Sequence, residues 1–104
     1  MSKTEDIVKE AESLKNSLQQ YLSYDSMVGG LISKSIKNLA DAQELLKKKP
    51  TAKNVKEALA KAQTVKDGFA PYGSYAPEMM KSIDSLVEKI SKLQKKKERK
   101  KKLA

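Results

Sequence analysis

The chain has 104 residues, 38% of them hydrophobic and only five aromatic, which is one domain's worth of sequence with material for a modest core. It contains no cysteine and no histidine, so a disulfide framework and a thiolate metal site are excluded, and the commonest general base is missing. The formal net charge is +9, and +6 of it falls within residues 93–104, a concentration that favours an anionic partner on so small a molecule.

The first predicted helix covers Ser2 to Ser23. Ser2 and Glu5 stand three apart, as in a capping box, and Glu5 and Asp6 suit the positive end of a helix dipole. Ile7, Ala11, Leu14, Leu18, Tyr21 and Leu22 recur at helical spacing and predict the buried stripe. Tyr24 to Gly30 interrupts this pattern. Asp25 or Ser26 is placed to cap a second helix, and Gly29-Gly30 is a poor helical pair, costing roughly 1 kcal/mol per glycine relative to alanine. That pair reads as a connection or a close helix contact, with a backbone surface open to a ligand as the functional alternative. The stripe almost keeps phase across the break, so one long kinked helix is the alternative to a hairpin.

The second predicted helix runs from Met27 to Lys48, with Val28, Leu31, Ile32, Ile36, Leu39, Ala42, Leu45 and Leu46 inward. Lys47, Lys48 and Lys49 complement the negative end of its dipole, and Pro50 stops it. A third helix follows with Thr51 as its cap. Its stripe is Val55, Ala58, Leu59, Ala62, Val65 and Phe69, and Asp67-Gly68 is expected to end it with Gly68 left-handed. Residues 69–77 are rich in turn formers, and Pro77 suits the first position of a fourth helix. In that helix Met80, Ile83, Val87, Ile90 and Gln94 share a stripe, with Met79, Leu86 and Leu93 beside it. Beyond Gln94 the apolar positions stop. Seven cations occupy the eight residues 95–102: Lys95, Lys96, Lys97, Arg99, Lys100, Lys101 and Lys102. Lysine is a good helix former, but such a block repels itself and tends to fray.

The pattern predicts an all-α fold. It is a small up-and-down bundle of four helices over residues 1–94, followed by a basic tail or helical extension over residues 95–104. Three helices, the first long and kinked, are the alternative. In the up-and-down arrangement one pole gathers Tyr21, Tyr24, Phe69, Tyr72, Tyr75 and Met79, with Met27, Met80 and the paired glycines nearby. The opposite pole gathers Lys3, Lys47, Lys48, Lys49, Lys53 and the tail. The aromatic pole is either a plug closing the bundle or a surface for docking a partner, a use to which tyrosine and methionine are suited.

Catalytic constellations are lacking at the level of sequence. Serines are frequent, but no histidine can activate one, and no Ser-x-x-Lys pair occurs. Glu5, Asp6, Glu10 and Glu12 could touch a divalent ion, but a capped helix start accounts for them more simply. Gly29-Gly30 has neither the spacing nor the lysine of a phosphate-binding loop. No enzymatic activity, metal or cofactor is expected.

A lysine row neutralises evenly spaced phosphates and releases their counterions without reading sequence, and the single arginine makes bidentate base recognition unsuited. The expected function is that of a small accessory subunit of a nucleic-acid-processing complex. It would dock on a larger protein and contribute DNA or RNA backbone contacts through Lys95, Lys96, Lys97, Arg99, Lys100, Lys101 and Lys102, with Lys47, Lys48 and Lys49 secondary. The alternative is a pure protein–protein module. Membrane association is disfavoured, because the fourth helix needs its apolar face for the bundle and no window reaches the ~18–20 apolar residues of a span. No leader sequence is apparent, and the expected setting is cytoplasmic or nucleoid-associated.

Overall fold

The structure is a computed structural model that describes the backbone of residues 3–103 and the side chains of residues 3–97. Its elements are α1 (Lys3–Gln19), a 3-10 helix (Leu22–Val28), α2 (Leu31–Lys48), α3 (Ala52–Phe69), a short 3-10 turn (Ala70–Tyr72) and α4 (Pro77–Leu103). No strand occurs among the described residues. The expected cap Ser2 lies outside them.

The helical periodicity of the sequence is the periodicity of burial. Ile7, Ala11, Leu14 and Leu18 face inward from α1; Ile32, Leu39, Ala42 and Leu46 from α2; Val55, Ala58, Ala62, Val65 and Phe69 from α3; and Ile83, Leu86, Val87, Ile90 and Leu93 from α4. Each large aliphatic side chain removed from water in this way contributes roughly 1.5–3 kcal/mol before chain entropy is counted. Helix contacts run α1 to α2, α2 to α3, α3 to α4 and α4 back to α1, closing a bundle around one core. The molecule measures 49 × 23 × 22 Å. At 1.5 Å per residue the 27 residues of α4 span about 40 Å, most of that long axis.

The break between α1 and α2 differs from the sequence expectation. α1 stops at Gln19 rather than near Ser23, and Tyr21 and Leu22, expected on the buried stripe, are exposed. The cause is the 3-10 helix that follows. Its tighter turns, three residues each, rotate the stripe away from the core, and none of its residues is fully buried. Gly29 and Gly30 then take positive φ angles of 63° and 79°, which cost glycine little and other residues more. A single long kinked helix through this point is therefore wrong. The expectation of four helices also omitted the 3-10 segments, and α2 begins at Leu31 rather than Met27.

Asp25 ties this break together. Ser33 N donates to its carboxylate Oδ1 at 2.9 Å, and Gly30 N donates to its carbonyl at 2.9 Å. The expected cap is thus present, although it serves the free amides of α2 from outside the helix, while Gly30 holds the cap position. At α3 the expected cap forms in the ordinary way, with Asn54 N donating to Thr51 Oγ1 at 3.1 Å.

Gly68 is not the left-handed terminator expected from Asp67-Gly68. α3 continues through Phe69, and only Gly29 and Gly30 have positive φ among the described residues. A Cβ at Gly68 would lie 2.5 Å from Leu31 Cδ1, so this glycine is there to let α2 approach α3.

Two polar residues, Ser35 and Gln43, are also buried, which the apolar periodicity of the sequence does not predict. Gln43 Nε2 donates to the carbonyl of Val8 at 3.0 Å and to Glu12 Oε1 at 3.1 Å, fastening α2 to α1. That bond, with Lys15 beside it, holds the Glu12 carboxyl below its usual range. Glu10 accepts from Lys89 of α4, which raises the Lys89 ammonium.

Candidate functional site

At one end of the bundle, the close of α1, the 3-10 helix, the start of α2, the close of α3 and the start of α4 surround an open cleft of about 650 Å³. Tyr21, Tyr24, Phe69, Tyr72, Tyr75 and Met79 all line it, so the six residues expected at the aromatic pole share one cavity. The chain has four tyrosines, one phenylalanine and no tryptophan, and every aromatic ring in it therefore borders this cleft.

The six do different things. Phe69 is buried, joins the core and forms the cleft floor with Leu18, Ile32 and Met79. It is the plug. Tyr72 is half-buried, whereas Tyr21, Tyr24 and Tyr75 are 49%, 54% and 86% exposed and form the rim. The rings of Tyr21 and Tyr24 lie 6.4 Å apart, tilted by 40°. Met27 is 78% exposed but does not line the cavity, and neither does Gly29 or Gly30. Met80 packs against the core instead.

The rim is positioned by short-range backbone bonds. Tyr24 N donates to the Tyr21 carbonyl at 2.9 Å, and Tyr75 N and Ala76 N donate to the Tyr72 carbonyl at 3.0 and 3.2 Å. Asp25 anchors the 3-10 helix to α2, and the Ser33 hydrogen bonds hold its carboxyl below the usual aspartate range. Exposed aromatic rings are thus carried on segments fixed at both ends.

The other end of the bundle is basic. Lys47 and Lys48 are exposed in the last turn of α2, and Lys49, also exposed, leaves the helix in an extended conformation. Its carbonyl is occupied, accepting from Asn54 Nδ2 at 2.8 Å. Lys95 and Lys96 are exposed on α4 and Lys97 is half-buried. Lys96 and Lys97 share a crevice of about 160 Å³ with Lys3, Thr4 and Leu93, so the start of α1 joins this end. Arg99, Lys100, Lys101 and Lys102 lie outside the residues whose side chains are described; the α4 backbone runs past them to Leu103.

Ion pairing divides the described lysines, and Lys34, Lys37, Lys53, Lys56 and Lys81 fall with the basic end in making no ion pair among the described residues. Lys15, Lys61, Lys66, Lys89 and Lys92 each reach a carboxylate within 4 Å: Glu12, Asp41, Asp84, Glu10 and Glu88 respectively. Lys47, Lys48, Lys49, Lys95, Lys96 and Lys97 make no such pair among the described residues. Lys47 feels the Glu12 carboxylate and Lys97 is half-buried, whereas Lys48, Lys49, Lys95 and Lys96 are exposed and hydrated and attract an external anion.

Glu10 and Glu12, two of the carboxylates considered for a cation, are engaged by Lys89, Lys15 and Gln43. Among the described residues no three acidic side chains gather as a metal-binding group. No described helix is long and apolar enough to cross a membrane. No protein-family model, curated protein or solved structure matches the chain.

Proposed function

We propose that this protein is a non-enzymatic, two-ended binding module of a nucleic-acid-processing complex. Its basic end contributes sequence-independent contacts to a DNA or RNA backbone. Its tyrosine-lined end docks on a larger protein, in a cytoplasmic or nucleoid-associated setting. In this reading the body works as an up-and-down bundle of four α-helices, and the Lys-rich end of α4 is a helical extension of it.

The observation that carries the reading is the segregation of unsatisfied groups. Lys47, Lys48, Lys49, Lys95, Lys96 and Lys97 gather at one end with no ion pair among the described residues, while Lys15, Lys61, Lys66, Lys89 and Lys92 on the body each meet a carboxylate. All the aromatic rings border a cleft at the opposite end. Lysine rows bind phosphates through counterion release, which is indifferent to base identity. The chain has one arginine among its 22 cations and no aromatic within the tail, so base reading and base stacking are both weakly provided for.

The test is fluorescence anisotropy with labelled duplex DNA, single-stranded DNA and RNA of equal length at low salt. Backbone recognition predicts measurable binding to all three, with no base-sequence preference within each. If none binds at about 20 mM salt, the polyanion role is lost. The cleft then favours the second reading, a pure protein–protein module whose cations serve solubility or an acidic protein face.

A further inference from the structure

Lysine and arginine make up 22 of the 104 residues, yet none of them lines the aromatic cleft. The single charged side chain on its wall is Glu78, in the first turn of α4. The Glu78 carboxylate forms no ion pair among the described residues. The same cleft is lined by Tyr21, Tyr24, Tyr72 and Tyr75, whose ring faces carry the negative lobe of the aromatic quadrupole. A strongly cationic molecule has thus kept its cations out of one cavity and furnished that cavity with groups that attract cations.

We infer that the cleft takes an arginine-bearing peptide segment of the partner protein, with the guanidinium stacked on the tyrosines and paired with Glu78. This rests on the docking reading above and names the chemistry of its partner. Arginine suits the site better than lysine. Its guanidinium is planar and weakly hydrated, stacks on aromatic faces and meets a carboxylate with two parallel hydrogen bonds. A volume of about 650 Å³ exceeds what one guanidinium fills, and the apolar floor of Phe69 and Met79 accommodates an aliphatic neighbour of that arginine.

The chain reports on this site by itself. It has no tryptophan and all its aromatics border the cleft, so its aromatic NMR signals arise there. The experiment titrates the full chain, at physiological salt, with acetyl-Leu-Arg-Leu-Arg-amide. Controls are the same peptide with citrulline, a neutral isostere, or with lysine in place of arginine. The arginine peptide is expected to shift the tyrosine resonances saturably. The citrulline peptide binds about tenfold more weakly and the lysine peptide falls between them. Glu78→Gln and Tyr75→Ala, both at exposed positions outside the core, each weaken the arginine peptide by about five- to tenfold without changing the circular dichroism spectrum.

Equal binding of the arginine and citrulline peptides overturns the inference but leaves an apolar docking cleft, so the broader reading survives. A proline-rich peptide of the same length binding more tightly than the arginine peptide also overturns it, as does the absence of a saturable shift with any peptide. If tyrosine shifts instead track protein concentration and vanish in Tyr75→Ala, the occupant is a second copy and the inference is wrong.

Discussion

Single residues hold the rim of the cleft in place, and Asp25 is the most consequential. Its carboxylate accepts the Ser33 amide across the Gly29–Gly30 turn, and this keeps it ionised below the ordinary aspartate value of 3.8. A carboxyl whose folded pKa is depressed stabilises the fold fully above its unfolded value, and that stability is lost as the pH falls through the folded one. Asp25→Asn therefore lowers the melting temperature at pH 6. The gap to the parent chain narrows once the pH drops below about 3.8. Thermal denaturation followed by circular dichroism at pH 6, 4 and 2.5 measures it; a gap that is constant over the range would show that the carboxylate charge is not what anchors the turn.

Gly68 makes a second residue-scale prediction. Alanine there gains helix propensity of about 1 kcal/mol but drives its Cβ into Leu31, so the two effects offset and Gly68→Ala leaves stability nearly unchanged. Valine adds bulk without that gain, and Gly68→Val costs about 1–3 kcal/mol in urea denaturation. Had Gly68 been a left-handed cap, alanine itself would be clearly destabilising. The Asp-Gly pair resembles a helix terminator in sequence because the reason for this glycine, the side chain of Leu31, is distant along the chain.

At the scale of elements, the long helices were legible because their apolar positions repeat at helical spacing. Leu39, at 0% exposure, sits at the centre of the α2 stripe. Leu39→Ala is expected to lose about 2–5 kcal/mol in equilibrium denaturation, whereas Glu44→Ala on the exposed face of the same helix stays within about 0.5 kcal/mol. Near-equal effects would mean that α2 does not pack as described. The 3-10 helix was not legible. Tyr21 and Leu22 continue the helical phase of α1, and nothing local separates a continued α-helix from the tighter turn that exposes them. Gln43 was missed for the opposite reason: a polar side chain on a buried stripe is explained only by its partners on α1, the Val8 carbonyl and Glu12.

The residues of the aromatic cleft were legible because short connections dictate which helix ends meet, and those ends carry every ring in the chain. Two of its features were not. Phe69 and the tyrosines divide into floor and rim by depth, which periodicity does not encode, and the absence of lysine from the cleft lining, with Glu78 its one charged residue, appears only when the five converging segments are in place.

For the molecule as a whole, the proposed function has two ends that act separately. The bundle keeps the cleft and the described lysines of the basic end at opposite ends of a body 49 Å long, several Debye lengths at physiological salt. The most direct measurement is the salt dependence of duplex DNA binding by three full-length proteins. They are the parent chain, a variant with Lys95, Lys96, Lys97, Arg99, Lys100, Lys101 and Lys102 all changed to glutamine, and the Tyr21→Ala, Tyr75→Ala double variant. For the parent, log K is expected to fall against log salt with a slope of about −5, as for about six phosphates neutralised. The glutamine variant loses most of that slope and most of its affinity at low salt, while the tyrosine variant matches the parent. A glutamine variant that binds with the parent's slope, or a tyrosine variant that loses DNA binding as severely, would contradict the assignment of the two ends.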